Sequence, residues 1–356
     1  MNSTAQAIAL KTQIVEPQAP FLRACYQLPN PFTPVWFMRQ AGRYMAEYRA
    51  IRQKYTLLEI CNQPDLAAEV TLQPVHALGV DAAILFADIL LPVIPLGLGL
   101  EFTKGEGPQI QRPIRTLEDV QKLKPVDAEA DLGYVLEAIR ILRGELGKTP
   151  LIGFSGAPFT VASYMIEGSS SREFLKTKTM MYSAPHIWRA LMEKLSRVLV
   201  DYLLAQIHAG AQAVQIFDSW VGALSPQDYE HFVLPYTQQI IREVKTQGVP
   251  VIHFGTNTAT LLTLMKRAGA DVIGLDWRIP LDAGWKMVGE DVAIQGNLDP
   301  AVLFAPLPEI KTRVQDILRR AAGRPGHIFN LGHGILQHTP VENVKAVVDM
   351  VHEYGN

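Results

Sequence analysis

The sequence predicts an α/β fold, a single (β/α)8 barrel with insertions after its first strands, and three observations carry that expectation. Eight short β-branched or apolar runs follow one another along the 356 residues. They are continuously apolar, as strands buried on both faces are, rather than alternating. Helical signals fall between them, and strand alternating with helix is the pattern of a parallel sheet closed by helices.

In order, the runs lie at 35–38, 82–85, 151–154, 213–217, 251–254, 272–275, 292–295 and 327–331. The intervals after the first three are the longest and leave room for insertions such as the Gly- and Pro-rich stretch at 91–108. Helix starts are expected at Ser225-Pro226, at Asp299-Pro300 and at the capping box Thr339-Pro340-Val341-Glu342, where a hydroxyl or carboxylate precedes Pro at the first helical position. Trp188, Leu191, Leu195, Val198, Leu199, Tyr202 and Ile207 recur at three- and four-residue spacing, a stripe wide enough to cover a sheet. Core packing, and no cofactor role, follows from that stripe. No internal repeat is evident.

Composition narrows the function classes. With 48% hydrophobic residues the chain has the material for one large barrel, and its net charge of -2 argues against a nucleic-acid coat or a membrane-surface protein. The apolar stretch around 89–100 is broken by Pro92, Pro95, Gly97 and Gly99, so no membrane span is expected. Cys25 and Cys61 are too few for a disulfide framework and their spacing fits no zinc ribbon, which points to a reducing cytoplasm. Residues 1–20 hold only Lys11 and Glu16 as charges and resemble neither a signal nor a transit peptide. A flexible tail at 1–20, ahead of a barrel domain at 21–356, is the expected organisation.

Against this near-neutral background one run stands out. Between Trp36 and Lys54 lie Arg39, Arg43, Arg49, Arg52 and Lys54 against the single acid Glu47. Arg39 and Arg43 bracket Ala41-Gly42, which reads as a loop that receives a ligand with several negative groups. Barrel enzymes place their chemistry at the carboxyl ends of the strands. After the successive runs come Arg39-Gln40, Asp88, Ser155-Gly156, Asp218-Ser219, Gly255-Thr256-Asn257, Asp276, Gly296-Asn297 and Gly332-His333-Gly334. Any one of these is what an ordinary loop shows, but all eight exits carry such residues.

The segment 34–44, Pro-Val-Trp-Phe-Met-Arg-Gln-Ala-Gly-Arg-Tyr, closely resembles the N-terminal motif of the uroporphyrinogen decarboxylase family. Segments 84–90, 153–160 with Ser163-Tyr164, 215–219 and 329–334 resemble that family's further motifs in the same order, so the likeness extends from about Phe21 to the C-terminus. It implies a single-domain (β/α)8 barrel, usually a homodimer, that converts uroporphyrinogen III to coproporphyrinogen III by removing four acetate carboxylates without cofactor or metal. By the same resemblance, Arg39, Gln40, Ala41, Gly42, Arg43, Arg52, Asp88, Tyr164, Ser219 and His333 bind substrate. Two positions depart from the pattern. Phe37 stands where Cys is frequent, and Trp220 follows Ser219 where some members have His.

The chemistry assigns roles. Losing CO2 from a pyrrole acetate leaves an electron pair that the ring itself accepts once protonated, so the transition state is cationic on the pyrrole. A carboxylate against the ring N–H groups stabilises that state more than the neutral ground state; Asp88 is the candidate. An Arg held on the reacting carboxylate slows its departure, so Arg43 and Arg52 are expected on carboxylates that do not react. Arg39 is expected to anchor the substrate or relay the proton, although a guanidinium pKa above about 12 makes it a poor acid. Tyr164 and Ser219 are neutral donors. His333 is expected as a propionate ligand or a proton donor near neutral pH. Arg49 reads as a surface residue, and His208, His253 and His327 as structural histidines.

Three rivals are weighed. A zinc methyltransferase of the same superfamily needs thiolates that a chain with no Cys beyond Cys61 lacks. A serine hydrolase would use Ser155, Asp276 and His333, but the second small residue of its elbow is Ala157 and no oxyanion Gly run precedes it. A non-enzymatic tetrapyrrole carrier would keep the arginines and have no need of Asp88.

Overall fold

The computed structural model describes residues 18–103 and 107–355, so the expected tail at 1–20 lies almost wholly outside the described residues. Nine strands form among them: β1 (Ala83–Ile84), β2 (Leu100–Thr103), β3 (Gly107–Ile110), β4 (Leu151–Gly156), β5 (Ala213–Asp218), β6 (Val251–Gly255), β7 (Val272–Gly274), β8 (Ala293–Gln295) and β9 (His327–Ile328). Seven make one sheet in the order β1-β4-β5-β6-β7-β8-β9, every neighbouring pair parallel.

The first predicted strand, 35–38, closes the barrel but is reduced to a single bridge, Val35 to Phe329. On one side Phe329 N donates to Pro34 O (2.8 Å) and Trp36 N to Phe329 O (3.3 Å); on the other Asp81 N donates to Val35 O (2.8 Å). The ladder goes no further because side chains take its donors. Val35 N donates to Asp81 Oδ2 (2.7 Å), Phe37 N to Gln40 Oε1 (3.1 Å) and Met38 N to Asn330 Oδ1 (3.2 Å). Every N–H is still satisfied. Inside the barrel, Trp36 Nε1 donates to Gln295 Oε1 and Gln295 Nε2 to Gln215 Oε1, both at 3.0 Å, tying this segment to β8 and β5.

Helices cover the sheet as the spacing predicts. The stripe beginning at Trp188 lies on the helix Pro185–Ala209, whose apolar face is buried against the β4 side of the barrel. The insertion at 91–108 and the two residues after it hold a feature the composition did not suggest, the antiparallel pair β2 and β3. Ser225 caps the helix Pro226–Phe232 by accepting from Asp228 N. Asp299 likewise accepts from Ala301 N, but it starts a short 3-10 turn, Pro300–Phe304, in place of the expected α-helix. The expected capping box at Thr339 is absent: Thr339 N turns back to Leu336 O, and the helix Val341–Tyr354 begins one residue later with Pro340 as its first acceptor.

The cationic run is also divided differently from the expectation of one loop. Residues 39–44 are a loop, but Ala46–Lys54 is a helix with Glu47 in its first turn and Arg52 and Lys54 in its last. Ala, Glu, Arg, Gln and Lys are strong helix formers, and the charges are placed to suit the helix dipole.

Candidate active site

One cleft of about 330 Å³ opens at the carboxyl ends of the strands, within the roughly 300–1,000 Å³ of small-molecule sites. Arg39, Ala41, Asp88, Tyr164, Ser219 and His333 all line it, brought together from the exits of five different barrel segments. Its lining also includes Phe154, Phe217 and Phe254, from the carboxyl-terminal halves of β4, β5 and β6. Their rings meet edge to face, with centroids 5.4 Å apart for the first pair and 6.1 Å for the second. These three are functional candidates that strand prediction alone passes over. The available signal was a Phe near the carboxyl end of each of three consecutive strands, with Phe217 and Phe254 in register and Phe154 two residues earlier.

Arg39 reaches the cleft through an unusual backbone. Its φ is 60°, the left-handed region that non-glycine residues rarely occupy. The stem of its side chain lies across Gly334, where an added Cβ would sit 2.6 Å from Arg39 Cγ. Ile335 N donates to Met38 O (2.9 Å), joining the 38–44 loop to the loop that carries His333. The Gly332-His333-Gly334 run therefore lets Arg39 and His333 share one wall.

Asp88 follows β1. The segment between them is held by Thr71, whose hydroxyl accepts from Phe86 N (2.9 Å) and donates to Ala67 O (2.7 Å). Leu90 N donates to Asp88 Oδ1 at 2.9 Å. Burial pushes the Asp88 carboxyl above its ordinary 3.8, and the Leu90 N–H and the Arg39 charge offset this only in part. A carboxylate so placed is short of hydrogen-bond donors, and a ligand rich in N–H groups would supply them.

Tyr164 is one helical turn beyond Thr160 on the helix Pro158–Glu167. Burial, then the Asp88 charge, pushes its hydroxyl up to about 12 against the opposing pull of Arg39, so it remains a neutral donor. Trp220 is outside the lining and backs Tyr164, its ring stacked on the tyrosine with centroids 3.8 Å apart. Ser219 is held by its carbonyl, which accepts from Thr256 Oγ1 at 2.5 Å. Beneath it the fully buried Asp218 accepts from Thr160 Oγ1 (3.0 Å) and faces His253 Nε2 (3.4 Å), which fits the structural reading of His253. His327 is buried against Gly296 O (3.1 Å) and exposed His208 meets Gln247 Oε1 (3.2 Å).

Four of the expected binding residues, Gln40, Gly42, Arg43 and Arg52, are not in the lining. Gln40 is fully buried and has no polar group left for a ligand: its side chain accepts from Phe37 N and donates to Ala82 O (3.1 Å), its N–H donates to Phe37 O, and its carbonyl accepts from Tyr44 Oη (2.7 Å). It shapes the loop instead. Arg43 and Arg52 are not among the residues lining the cleft. Arg52 donates to Tyr55 O (2.5 Å), and both guanidiniums act electrostatically on Tyr48, whose ring contacts Phe86 at the cleft edge. They form an outer cationic rim. Gly42 lies against Arg39 O, and Arg49, read as a surface residue, in fact fastens the loop by donating to Arg43 O (3.0 Å) and Tyr44 O (2.7 Å).

His333 lines the cleft in a partly buried, cationic setting. Burial, then the Arg39 and Arg278 charges, lowers its pKa to about 4 against the pull of Asp276. In the free site it is a neutral imidazole at pH 7, so it donates a proton only after arriving carboxylates raise that value.

The rival sites do not assemble. Ser155 is buried inside β4 with no partner for its hydroxyl among the described residues, and Asp276 is engaged by Asn257 N (2.6 Å) and Arg278. Cys25 and Cys61 are both buried, and among the described residues no three His, Cys, Asp or Glu side chains converge.

The comparisons agree with this geometry. The model of the family described as "Uroporphyrinogen decarboxylase (URO-D)" matches residues 16–354. The chain is 59% identical over 337 residues to a uroporphyrinogen decarboxylase of Carboxydothermus hydrogenoformans, covering 94% of this chain and 96% of that one. It is 59% identical over 333 residues to one of Sorangium cellulosum, covering 93% and 95%. Among solved structures, a methyltransferase from Methanosarcina mazei superposes with a TM-score of 0.80 at 22% identity, over 94% of this chain and 98% of that one, and at that identity it speaks to the fold alone. With matched motifs that converge on one cleft, nearly full-length similarity and an α/β barrel, the chain belongs to the uroporphyrinogen decarboxylase family.

Proposed function

We propose that this chain is a carboxy-lyase that converts uroporphyrinogen III to coproporphyrinogen III in porphyrin and haem biosynthesis. The observation that carries the catalytic reading is Asp88, a carboxyl held above its ordinary pKa over an aromatic floor, with Arg39 beside it and few donors of its own. Four pyrrole N–H groups complete it. They favour its ionised form, and that charge is then poised against the ring on which positive charge develops.

Each step balances simply. A proton adds to the pyrrole α-carbon next to the ring carbon that bears the acetate arm, and the ring becomes an iminium-like cation. The bond between the acetate carboxyl and its CH2 breaks, CO2 leaves, and the electron pair neutralises the ring. A second proton on the exocyclic carbon gives the methyl group, while the first is released, so one proton is consumed per CO2.

Asp88 stabilises the cation without being consumed. Arg39 lies close enough to bind a carboxylate at the cleft wall, and Tyr164, Ser219 and neutral His333 orient carboxylates without adding charge. Arg43 and Arg52 suit the outer ends of arms that extend past the rim. Ala41 and Gly42 offer the loop's backbone. We propose no catalytic part for the Gln40 side chain.

The resemblance further supports one barrel domain over 21–356, a homodimer and a cytoplasmic setting. No described helix is long and apolar enough to cross a membrane. Sedimentation of the purified protein tests the dimer. Anaerobic incubation with uroporphyrinogen, followed by oxidation and chromatography, tests the activity: hepta- through tetracarboxylate products are expected without added cofactor, and an unchanged octacarboxylate would contradict it.

A further inference from the structure

We propose that Arg278 is an additional carboxylate-binding group of this site, presented at the cleft rim beside His333 to hold one of the substrate's non-reacting carboxylates. The proposal rests on the functional reading above and extends it to a residue outside every motif that carries the family resemblance.

Arg278 lies just past the carboxyl end of β7, outside the cleft lining as Arg43 and Arg52 are, but on the same face of the barrel. Three contacts fix its guanidinium. Nη1 donates to Asp276 Oδ2 at 2.6 Å, the plane stacks over the Trp277 ring at 4.0 Å, and Arg278 N donates to Asp276 Oδ1 at 3.0 Å. Asp276 is itself immobile: it is 2% exposed, accepts from Asn257 N, and its carbonyl accepts from Asn297 Nδ2 at 2.8 Å. The Trp277 backbone packs directly on Gly332, where even a Cβ has no room, so the residue stacked on it is locked to the His333 loop.

A guanidinium has five N–H donors, and Asp276 takes only one. The Arg278 side chain is 42% exposed, so its remaining edge is open to a ligand. Its charge is not cancelled by its partner at the point that matters. Arg278 disfavours protonation of His333 more than Asp276 favours it, and Arg39 acts in the same sense. His333 thus sits in positive potential from two guanidiniums, and an incoming carboxylate meets two charged forks and one neutral ring. A planar fork stacked and anchored in advance loses little freedom on binding. Lining by Arg39 and His333 alone leaves that second positive source without a use.

Steady-state kinetics of Arg278→Gln with uroporphyrinogen test this. The buried Asp276 keeps its two backbone donors in that variant, so the barrel is expected to stay folded. KM should rise about five- to tenfold with kcat unchanged, and kcat/KM should fall less steeply with salt, as loss of one charged contact to a carboxylate requires. Arg278→Lys, which keeps the charge but not the fork, should fall between the two. The His333 imidazole, followed by NMR in the free protein, should titrate at higher pH in Arg278→Gln than in wild type. Wild-type KM and salt dependence in Arg278→Gln, or a loss confined to kcat, would overturn the proposal. Failure of the functional reading is separable, because wild-type protein would then make no coproporphyrinogen at all.

Discussion

Asp81 and Asp88 flank the two residues of β1 and show what the two ends of one barrel strand are for. Asp81, at the entry, has its carboxylate engaged: Oδ2 accepts from Val35 N (2.7 Å) and meets His352 Nε2 (2.8 Å), so it fastens the reduced strand and the last helix to the sheet. Asp88, at the exit, has Leu90 N and a nearby guanidinium, and its carboxyl remains above the ordinary range. The first acid is satisfied and stabilises the fold. The second is left wanting donors that a substrate can bring, which matches the general division of barrels into a stabilising face and a reactive one.

Substitution at the two positions should therefore separate activity from stability. Asp88→Asn should lower kcat by at least roughly a hundred- to a thousandfold, the scale of removing a main electrostatic stabiliser. Its thermal midpoint should hold or rise at neutral pH. The sign follows from the raised pKa: the folded state disfavours the ionised Asp88, so its destabilising effect grows as pH rises from the ordinary 3.8 to the raised value and is full above it, and the amide removes it. Asp81→Ala should do the reverse, losing about 1–3 kcal/mol by leaving the Val35 N–H without its acceptor while kcat of the folded fraction is kept. Equal activity losses in the two variants would erase the contrast.

A smaller change sharpens it at the reactive end. Gly334→Ala places a methyl group where the Arg39 stem lies. It should reduce kcat/KM about ten- to a hundredfold by displacing the guanidinium, with stability changed less than in Asp81→Ala. Unaltered kinetics would show that Arg39 needs no such alignment.

The smallest expected effects are in pH dependence. His352 is raised from 6.5, chiefly by its hydrogen bond to Asp81. Its contribution to stability is fully present below pH 6.5 and lost as pH rises through the raised value, and His352→Gln should flatten that slope in denaturation midpoints. At the other end, binding to ring N–H groups requires ionised Asp88. The acid limb of kcat/KM should fall at a pH above 3.8 and vanish in the residual activity of Asp88→Asn.

Much of this contrast was legible beforehand because both periodicity and strand-exit chemistry are local. Runs of apolar residues located seven strands of the sheet, and the exit rule placed Arg39, Asp88, Ser219 and His333 on one face. What escaped depended on distant partners. Nothing near 35–38 announces that Asp81, Gln40 and Asn330 take its N–H groups, so a strand was expected where one bridge exists. Gln40 carries the chemistry of a binding residue and is consumed by Ala82 and Phe37. The neutral His333 depends first on burial, then on Arg39, and then on Arg278, which lies 55 residues away in sequence and outside every recognised motif. Thr339 has the pattern of a cap, and a turn from Leu336 moved the helix start past it.

The central claim concerns one carboxyl group, and an anaerobic crystal structure of the protein with reduced tetracarboxylate product tests it most directly. The account predicts both Asp88 oxygens within hydrogen-bond distance of the ring nitrogens, with the macrocycle resting on Phe154, Phe217 and Phe254. A complex in which Asp88 faces solvent or a side arm, with the ring nitrogens met by other groups, would contradict it.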